Sequence, residues 1–413
     1  MKNVPDIRFK GFEDEWISVL FSNIAKISRG LTYSPSCINT KGVRVLRSSN
    51  IVEGNFCIFD NDIFVNEKSV NIPFAHNKDI LITAANGSTN LVGKHCLINI
   101  SNEEKFVHGG FMLIAKSSEP EFLHYSMFSD WYRRFLRVGT TGGNGAICNL
   151  NKTELAKNKI FVSKYKCEKT KLSNMFVNLD NNIKTLHKKI ASLKQLKSAC
   201  LISMFPQQGE TVPRVRFKEF DGEWKNIKLS ECLEISKEIN SDNVYSKEDV
   251  LSVSDEMGVM NQIKLLGRSY AGKSVSKYKI LKPHQIVYTK SPLKDKPYGI
   301  IKENCGETGI VSVLYAVFNT KENVDPTYIH YYFEPKFRIN KYLYPLVNKG
   351  AKNTMNISDD TTLDGFVYIP SSEAEQRQIA SYFRNLDIQI SEQEKRLEKL
   401  KQIKAACLDK MFV

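Results

Sequence analysis

The chain has 413 residues, 42% hydrophobic and 10% aromatic, with 59 Lys and Arg against 45 Asp and Glu, a formal net charge of +14. That length allows two full cores and the aromatic content excludes a disordered chain. The basic excess points to a polyanionic partner, with nucleic acid ahead of an anionic membrane.

The chain opens on Val4-Pro5-Asp6-Ile7-Arg8-Phe9-Lys10, running to Glu15-Trp16. These charged residues contain no apolar h-region and no run reaches the ~18 apolar residues of a membrane span, so a soluble intracellular protein is expected. Nine cysteines are scattered without a C-x-x-C pair, so a zinc site is not expected and a reducing cytosol is. Residues 17–165 mix β-rich runs, such as 42–47 and 79–83, with a helical run at 122–137. This reads as a mixed α/β globule.

From Glu168 to Phe205 there is no proline or glycine. Apolar residues recur every three or four positions at Phe176, Leu179, Ile183, Leu186, Ile190, Leu193, Leu196 and Cys200, the pattern of a helix with a near-heptad seam. Pro206 ends it, and 207–211 is a short linker.

The chain then repeats itself. Val212-Pro213-Arg214-Val215-Arg216-Phe217-Lys218 running to Glu223-Trp224 restates the opening at an offset of 208. Residues 225–370 read as a second mixed globule with a helical run at 328–343. A second helix opens at Ser371-Ser372-Glu373, a serine cap with acidic residues in the first turn. Its seam is Phe383, Leu386, Ile390, Leu397, Leu400, Ile403 and Cys407, interrupted by Gln393. Met204-Phe205 ends the first helix and Met411-Phe412 the second, an offset of 207. The near-constant offset means two whole units. The expected domains are 1–165 and 207–370, each followed by a long helix, 166–206 and 371–413. Neither helix of about 35 residues buries its stripe alone. The two are expected to pair as an antiparallel coiled coil with pseudo-two-fold symmetry.

The scaffold repeats while the loops change. Ile80–Thr83 aligns with Ile286–Thr289 and Gly93 with Gly299, but the nine residues between differ throughout. Loops rich in Arg, Lys, Asn and Ser suit DNA phosphates and base edges. The first-unit candidates are Arg44, Arg47, Ser48, Asn50, Asn86, Ser88, Thr89, Asn90, Lys94 and Asn144. Those of the second unit are Arg268, Lys273, Lys290, Lys294, Lys296, Lys352 and Asn353. No catalytic or metal cluster is expected. One pattern points elsewhere: Gly267 to Ser274 fits G-x-x-x-x-G-K-[ST], a phosphate-cradling loop. A P-loop nucleotide-dependent nucleic-acid enzyme and a coiled-coil scaffold without DNA therefore stay as alternatives.

The whole pattern resembles the specificity subunit of type I restriction-modification systems. The residues that carry it are the Val-Pro-x-x-Arg-Phe-Lys…Glu-Trp opening, Val45-Leu46-Arg47-Ser48-Ser49-Asn50-Ile51 and Asp79-Ile80-Leu81-Ile82-Thr83. Gly309-Ile310-Val311-Ser312 and Glu373-x-Glu375-Gln376-Arg377-Gln378-Ile379-Ala380 add to them. The first helix departs from the last motif, with Lys166-Cys167-Glu168-Lys169 in its place. The resemblance implies a non-catalytic, cytoplasmic protein in which each recognition domain reads half of a bipartite, non-palindromic site in double-stranded DNA. It further implies that the helices set the spacer and dock two methyltransferase subunits, which use S-adenosylmethionine. Two motor-nuclease subunits, using ATP and magnesium, would complete the complex, with no cofactor in this chain.

Overall fold

A computed structural model describes residues 3–100, 103–141, 148–272, 274–349 and 355–413. The chain divides into two compact units, Met1–His187 with Lys395–Val413, and Lys188–Glu394. Both are mixed α/β, and both are built around the same sheet. In unit 1, four antiparallel strands lie in the order His95–Leu97, Ile80–Thr83, Met112–Ser117, Ala25–Arg29. In unit 2 the order is Ile301–Glu303, Ile286–Thr289, Tyr315–Thr320, Leu233–Ile235. The central strands Ile80–Thr83 and Ile286–Thr289 are buried along their whole length, which explains their continuous apolar reading. Gly93 (φ +83°) and Gly299 (φ +93°) take the same left-handed turn where each variable loop rejoins the sheet. A β-carbon on Gly299 would fall 1.9 Å from the Thr289 carbonyl oxygen, so the loop cannot close there with another residue.

The two long helices span Lys166–Ser203 and Glu373–Lys410, 38 residues each. Their starts lie 207 residues apart, so the first helix begins where the repeat demands despite its unusual opening sequence. The reason is Glu168. Its carboxylate accepts from Arg8 Nε at 2.6 Å and from the second Arg8 terminal nitrogen at 2.9 Å. In unit 2, Glu375 accepts the same fork from Arg216 at 2.7 and 2.8 Å, and Trp224 Nε1 adds a third bond at 3.3 Å. Both glutamates are 1% exposed. The repeated Arg-Phe-Lys…Glu-Trp segment is therefore a clamp on the first turn of a helix. Burial pushes the Glu168 carboxyl up, but the hydrogen bonds from Arg8 and Ser163 outweigh it and hold the group below its ordinary range.

The helices pack together in antiparallel fashion. In unit 1, Asp180 of the first helix meets Lys404 of the second at 2.5 Å. In unit 2, Lys194 meets Glu394 at 2.7 Å and Lys197 meets Asp387 at 2.7 Å. Higher numbers on one helix face lower numbers on the other. Tyr125 donates to Asp180 at 2.8 Å and Tyr331 to Asp387 at 2.7 Å, so each unit carries the same Tyr–Asp–Lys lock.

Most of the expected seam lies in the packed face. Leu186, Ile190, Leu386, Ile390 and Leu397 are buried, and Leu179, Ile183, Leu193, Cys200, Leu400 and Cys407 are half-buried. Leu196 and Ile403 depart from that expectation, at 45% and 40% exposed. The neighbours Lys197 and Lys404 occupy the inward positions instead, because their long stems cover apolar surface while the ammonium groups reach Asp387 and Asp180.

Each helix ends as a plug. Phe412 is buried against Trp16, Phe122 and Phe176, with ring centroids 5.7–6.2 Å away. Phe205 fills the corresponding box of Trp224, Tyr328 and Phe383 at 5.6–6.2 Å. The main chain of the opening segments seals both ends, Ile7 N–H donating to the Lys410 carbonyl and Val215 N–H to that of Ser203, each at 2.9 Å.

Phe412→Ala should destabilise unit 1 by about 3–5 kcal/mol. Arg8→Ala should cost about 3–5 kcal/mol by leaving Glu168 charged and buried. Chemical denaturation of each variant checks both.

Unit 1 also buries a pair of histidines, His95 and His124. His95 Nε2 lies 3.3 Å from the Met127 carbonyl and so carries the proton. Its Nδ1 then accepts from His124 Nδ1 at 3.2 Å. Burial lowers His95 to about 4 and His124 well below its ordinary value. A histidine depressed by folding contributes stability that is present above its unfolded value of about 6.5 and lost as pH falls through the folded one. The melting temperature should therefore fall between about pH 6.5 and 4, and His124→Phe should be most destabilising at neutral pH, with the gap to wild type narrowing toward about pH 5.

Candidate nucleic-acid interface

The first variable loop leaves the sheet after Thr83 and enters the short strand Ala85–Asn86, which pairs with Cys148–Leu150. Facing it is the turn that joins Phe106–His108 to Met112–Ser117. This turn is pinned on three sides. Gly109 N–H donates to the Leu46 carbonyl, Leu31 N–H to that of His108, and both Ala84 and Ala85 N–H to that of Phe111. Gly30 lets the backbone approach, since a β-carbon there would lie 1.9 Å from the Gly109 oxygen.

These segments enclose an open cleft of about 630 Å³. Arg47, Ser48 and Asn86 line it together with Tyr33, Gly110 and Phe111. Asn86 Nδ2 donates to Ser48 Oγ at 3.2 Å, so the 3₁₀ turn Ser48–Asn50 and the variable loop meet here. The buried Arg47 Nε has no hydrogen-bond partner among the described residues. A guanidinium, an amide and a hydroxyl on one wall, with aromatic rings beside them, form a surface able to bond base edges and phosphate oxygens.

The structure thus brings three of the expected first-unit residues together and disperses others. Ser88, Thr89, Asn90 and Lys94 are exposed along the same loop. Arg44 is turned inward, with Nε on Glu104 at 2.8 Å and a terminal nitrogen on Asp62 at 2.9 Å. Asn50 is fully buried and bonds the Cys57 carbonyl and Asp62. Neither side chain is presented to a ligand, because acids distant in sequence satisfy them inside the fold. Asn144 lies outside the described residues.

In unit 2, Arg268 is exposed and stacks over Tyr270 at 4.6 Å, and Lys294 is exposed on the second variable loop. Lys290 is held at 2.7 Å by Asp359, which also binds Lys279. Burial raises the Asp359 carboxyl, but the two lysines prevail and keep it low. Lys296 is buried and bonds Asp255 and the Glu334 carbonyl, so its charge is internal. Lys273, Lys352 and Asn353 lie outside the described residues.

The phosphate-loop alternative meets a physical obstacle. Gly267 is the left-handed C-cap of the helix Gln262–Leu266. Among the described residues, a loop and then the strand Lys279–Leu281 follow it. A phosphate cradle needs the positive N-terminal end of a helix after the loop, whereas this motif begins at a negative C-terminal end. Among the described residues no group of three His, Cys, Asp or Glu is placed to hold a metal ion, and no helix is long and apolar enough to cross a membrane.

Sequence reasoning missed Thr32, Tyr33 and Phe111 as cleft residues. Phe111 carried a signal nonetheless: a large apolar side chain directly after Gly109-Gly110, at a turn.

No protein-family model matches the chain, and no curated protein does. Solved structures match along its length. The crystal structure of the S subunit of a type I restriction-modification system from M. genitalium aligns with a TM-score of 0.57 at 12% identity, covering 99% of both chains. A chain from a structure addressing complex assembly and conformational transition of the type I restriction-modification system gives 0.50 at 13% identity, over 96% of this chain and 97% of that one. At these identities the likeness is one of fold, and the chain has, nearly from end to end, the fold of a type I restriction-modification S subunit.

Proposed function

We propose that this chain is the DNA sequence-reading subunit of a type I restriction-modification complex, with one half of a bipartite target read by each unit. The observation that carries this reading is the contrast between scaffold and loops. The two units share their sheet, helix clamp and aromatic plug, yet their polar surface residues differ: Arg47, Ser48 and Asn86 line the cleft of one, and Arg268, stacked on Tyr270, and Lys294 are exposed on the other. A protein that reads two different sequences needs this combination. The solved chains that share its fold are described as S subunits or as part of such a system, and the net charge of +14 suits a phosphate backbone.

In this reading the chain itself carries no catalytic step. Lysines and arginines on the loops bind phosphates and fix register, while Arg47, Asn86 and Ser48 bond base edges. The paired helices, about 57 Å long each, fix the unread spacer and dock methyltransferase subunits. Adenine methylation with S-adenosylmethionine, and ATP- and magnesium-dependent cleavage, belong to the partner methyltransferase and motor-nuclease subunits. The complex acts in the cytoplasm.

The test is methylome sequencing of a methylation-free host that expresses this chain with its methyltransferase. The reading predicts a two-part asymmetric motif, and exchange of residues 84–92 for another loop should alter one half of it. A continuous motif, or simultaneous change of both halves, would contradict the proposal. ATP-dependent thermal stabilisation of the purified chain would favour the enzyme reading instead.

A further inference from the structure

Met112 N–H donates to the Gly109 carbonyl at 2.8 Å, and Tyr315 N–H donates to the Ser312 carbonyl at 2.9 Å. These are the same four-residue turn in the two units. Each leads into an equivalent strand, with Thr83 opposite Met112 in one register and Thr289 opposite Tyr315 in the other. The sequences of the turns differ, Gly109-Gly110-Phe111 against Ser312-Val313-Leu314. Yet both place a large apolar side chain third and leave it in solvent: Phe111 is 66% exposed and Leu314 63%. A single exposed hydrophobe needs no explanation. One retained at the same turn of two diverged repeats does.

In unit 1 the surroundings identify what the side chain meets. Phe111 lines the cleft that holds Arg47, Ser48 and Asn86, so whatever those polar groups bond lies against its ring. The turn cannot swing inward to bury the ring, because the Phe111 carbonyl is tied to Ala84 and Ala85. A rigid apolar projection among base-edge donors matches nucleobase contact, either on a thymine methyl in the groove or against a partly unstacked base step.

We propose that Phe111 and Leu314 are apolar base-contacting residues, one for each half-site, that discriminate sequence without hydrogen bonds. The inference rests on the DNA-reading role proposed above and adds the residues that read apolar features of the bases.

The test expresses the full chain with its methyltransferase in a methylation-free host and compares Phe111→Ala and Leu314→Ala with wild type by methylome sequencing. Phe111→Ala should weaken discrimination at one base pair of one half-site by about tenfold and leave the other half unchanged. Leu314→Ala should do the converse, and Phe111→Leu should retain discrimination. Because both side chains project into solvent, the melting temperatures should match wild type, and a fall in melting temperature would overturn the placement of these residues. Unchanged motifs at wild-type methylation levels would overturn the inference while leaving the DNA-reading role intact. So would an equal loss at every site with the motif preserved, which would make these residues a protein-docking surface. Absence of any bipartite motif with the wild-type chain would instead overturn the parent reading, and the inference with it.

Discussion

Each unit's core is closed by a helix end that the other repeat supplies. Leu201, Met204 and Phe205 come from the first repeat and lie in the core of the second unit. Leu408, Met411 and Phe412 come from the second repeat and lie in the core of the first. Neither repeat can therefore bury its own aromatic box with its own chain. The helices must run as two continuous 38-residue rods, clamped at the start by Arg8–Glu168 or Arg216–Glu375 and plugged at the end by Phe205 or Phe412. This exchange ties the length of each helix to the closure of both cores, which is the property that the proposed spacer role requires.

The plan of the fold was legible in the sequence because it is written twice. Repeated apolar and aromatic positions announce a shared scaffold, and a proline-free, glycine-free heptad run announces a long helix. The clamp could have been read as well, since the Arg-Phe-Lys…Glu-Trp segment and a glutamate near each helix start recur together. It was hidden by the differing residues around Glu168. The inner seam was misread at Leu196 and Ile403 because apolarity alone does not identify an inward position. Lys197 and Lys404 face inward by virtue of acids on the opposite helix, more than 180 residues away in sequence.

The same limit governs the candidate interface. Arg44, Asn50, Lys290 and Lys296 have the composition of DNA-reading residues, but Glu104, Asp62, Asp359 and Asp255 engage them internally. Those partners lie 12 to 69 residues away, beyond the reach of any local pattern. Arg47, Ser48 and Asn86 face the cleft because no acid of the fold draws them inward: Asn86 bonds Ser48 across the cleft wall and accepts from the Ser88 N–H, and Arg47 Nε keeps no partner among the described residues. Exposed apolar side chains are ordinary individually, so the sequence around Phe111 does not single it out. Its significance comes from the matching position of Leu314.

The central claim is that the paired helices fix a distance between two independent readings. It is tested most directly by inserting one heptad into both helices, after His187 and after Glu394, where the two compact units divide. A heptad preserves the seam and adds roughly 10 Å, or about 3 base pairs. Methylome sequencing should then show the unread spacer lengthened by about that amount, with both half-sites unaltered. An unchanged spacer, or altered half-sites, would contradict the account.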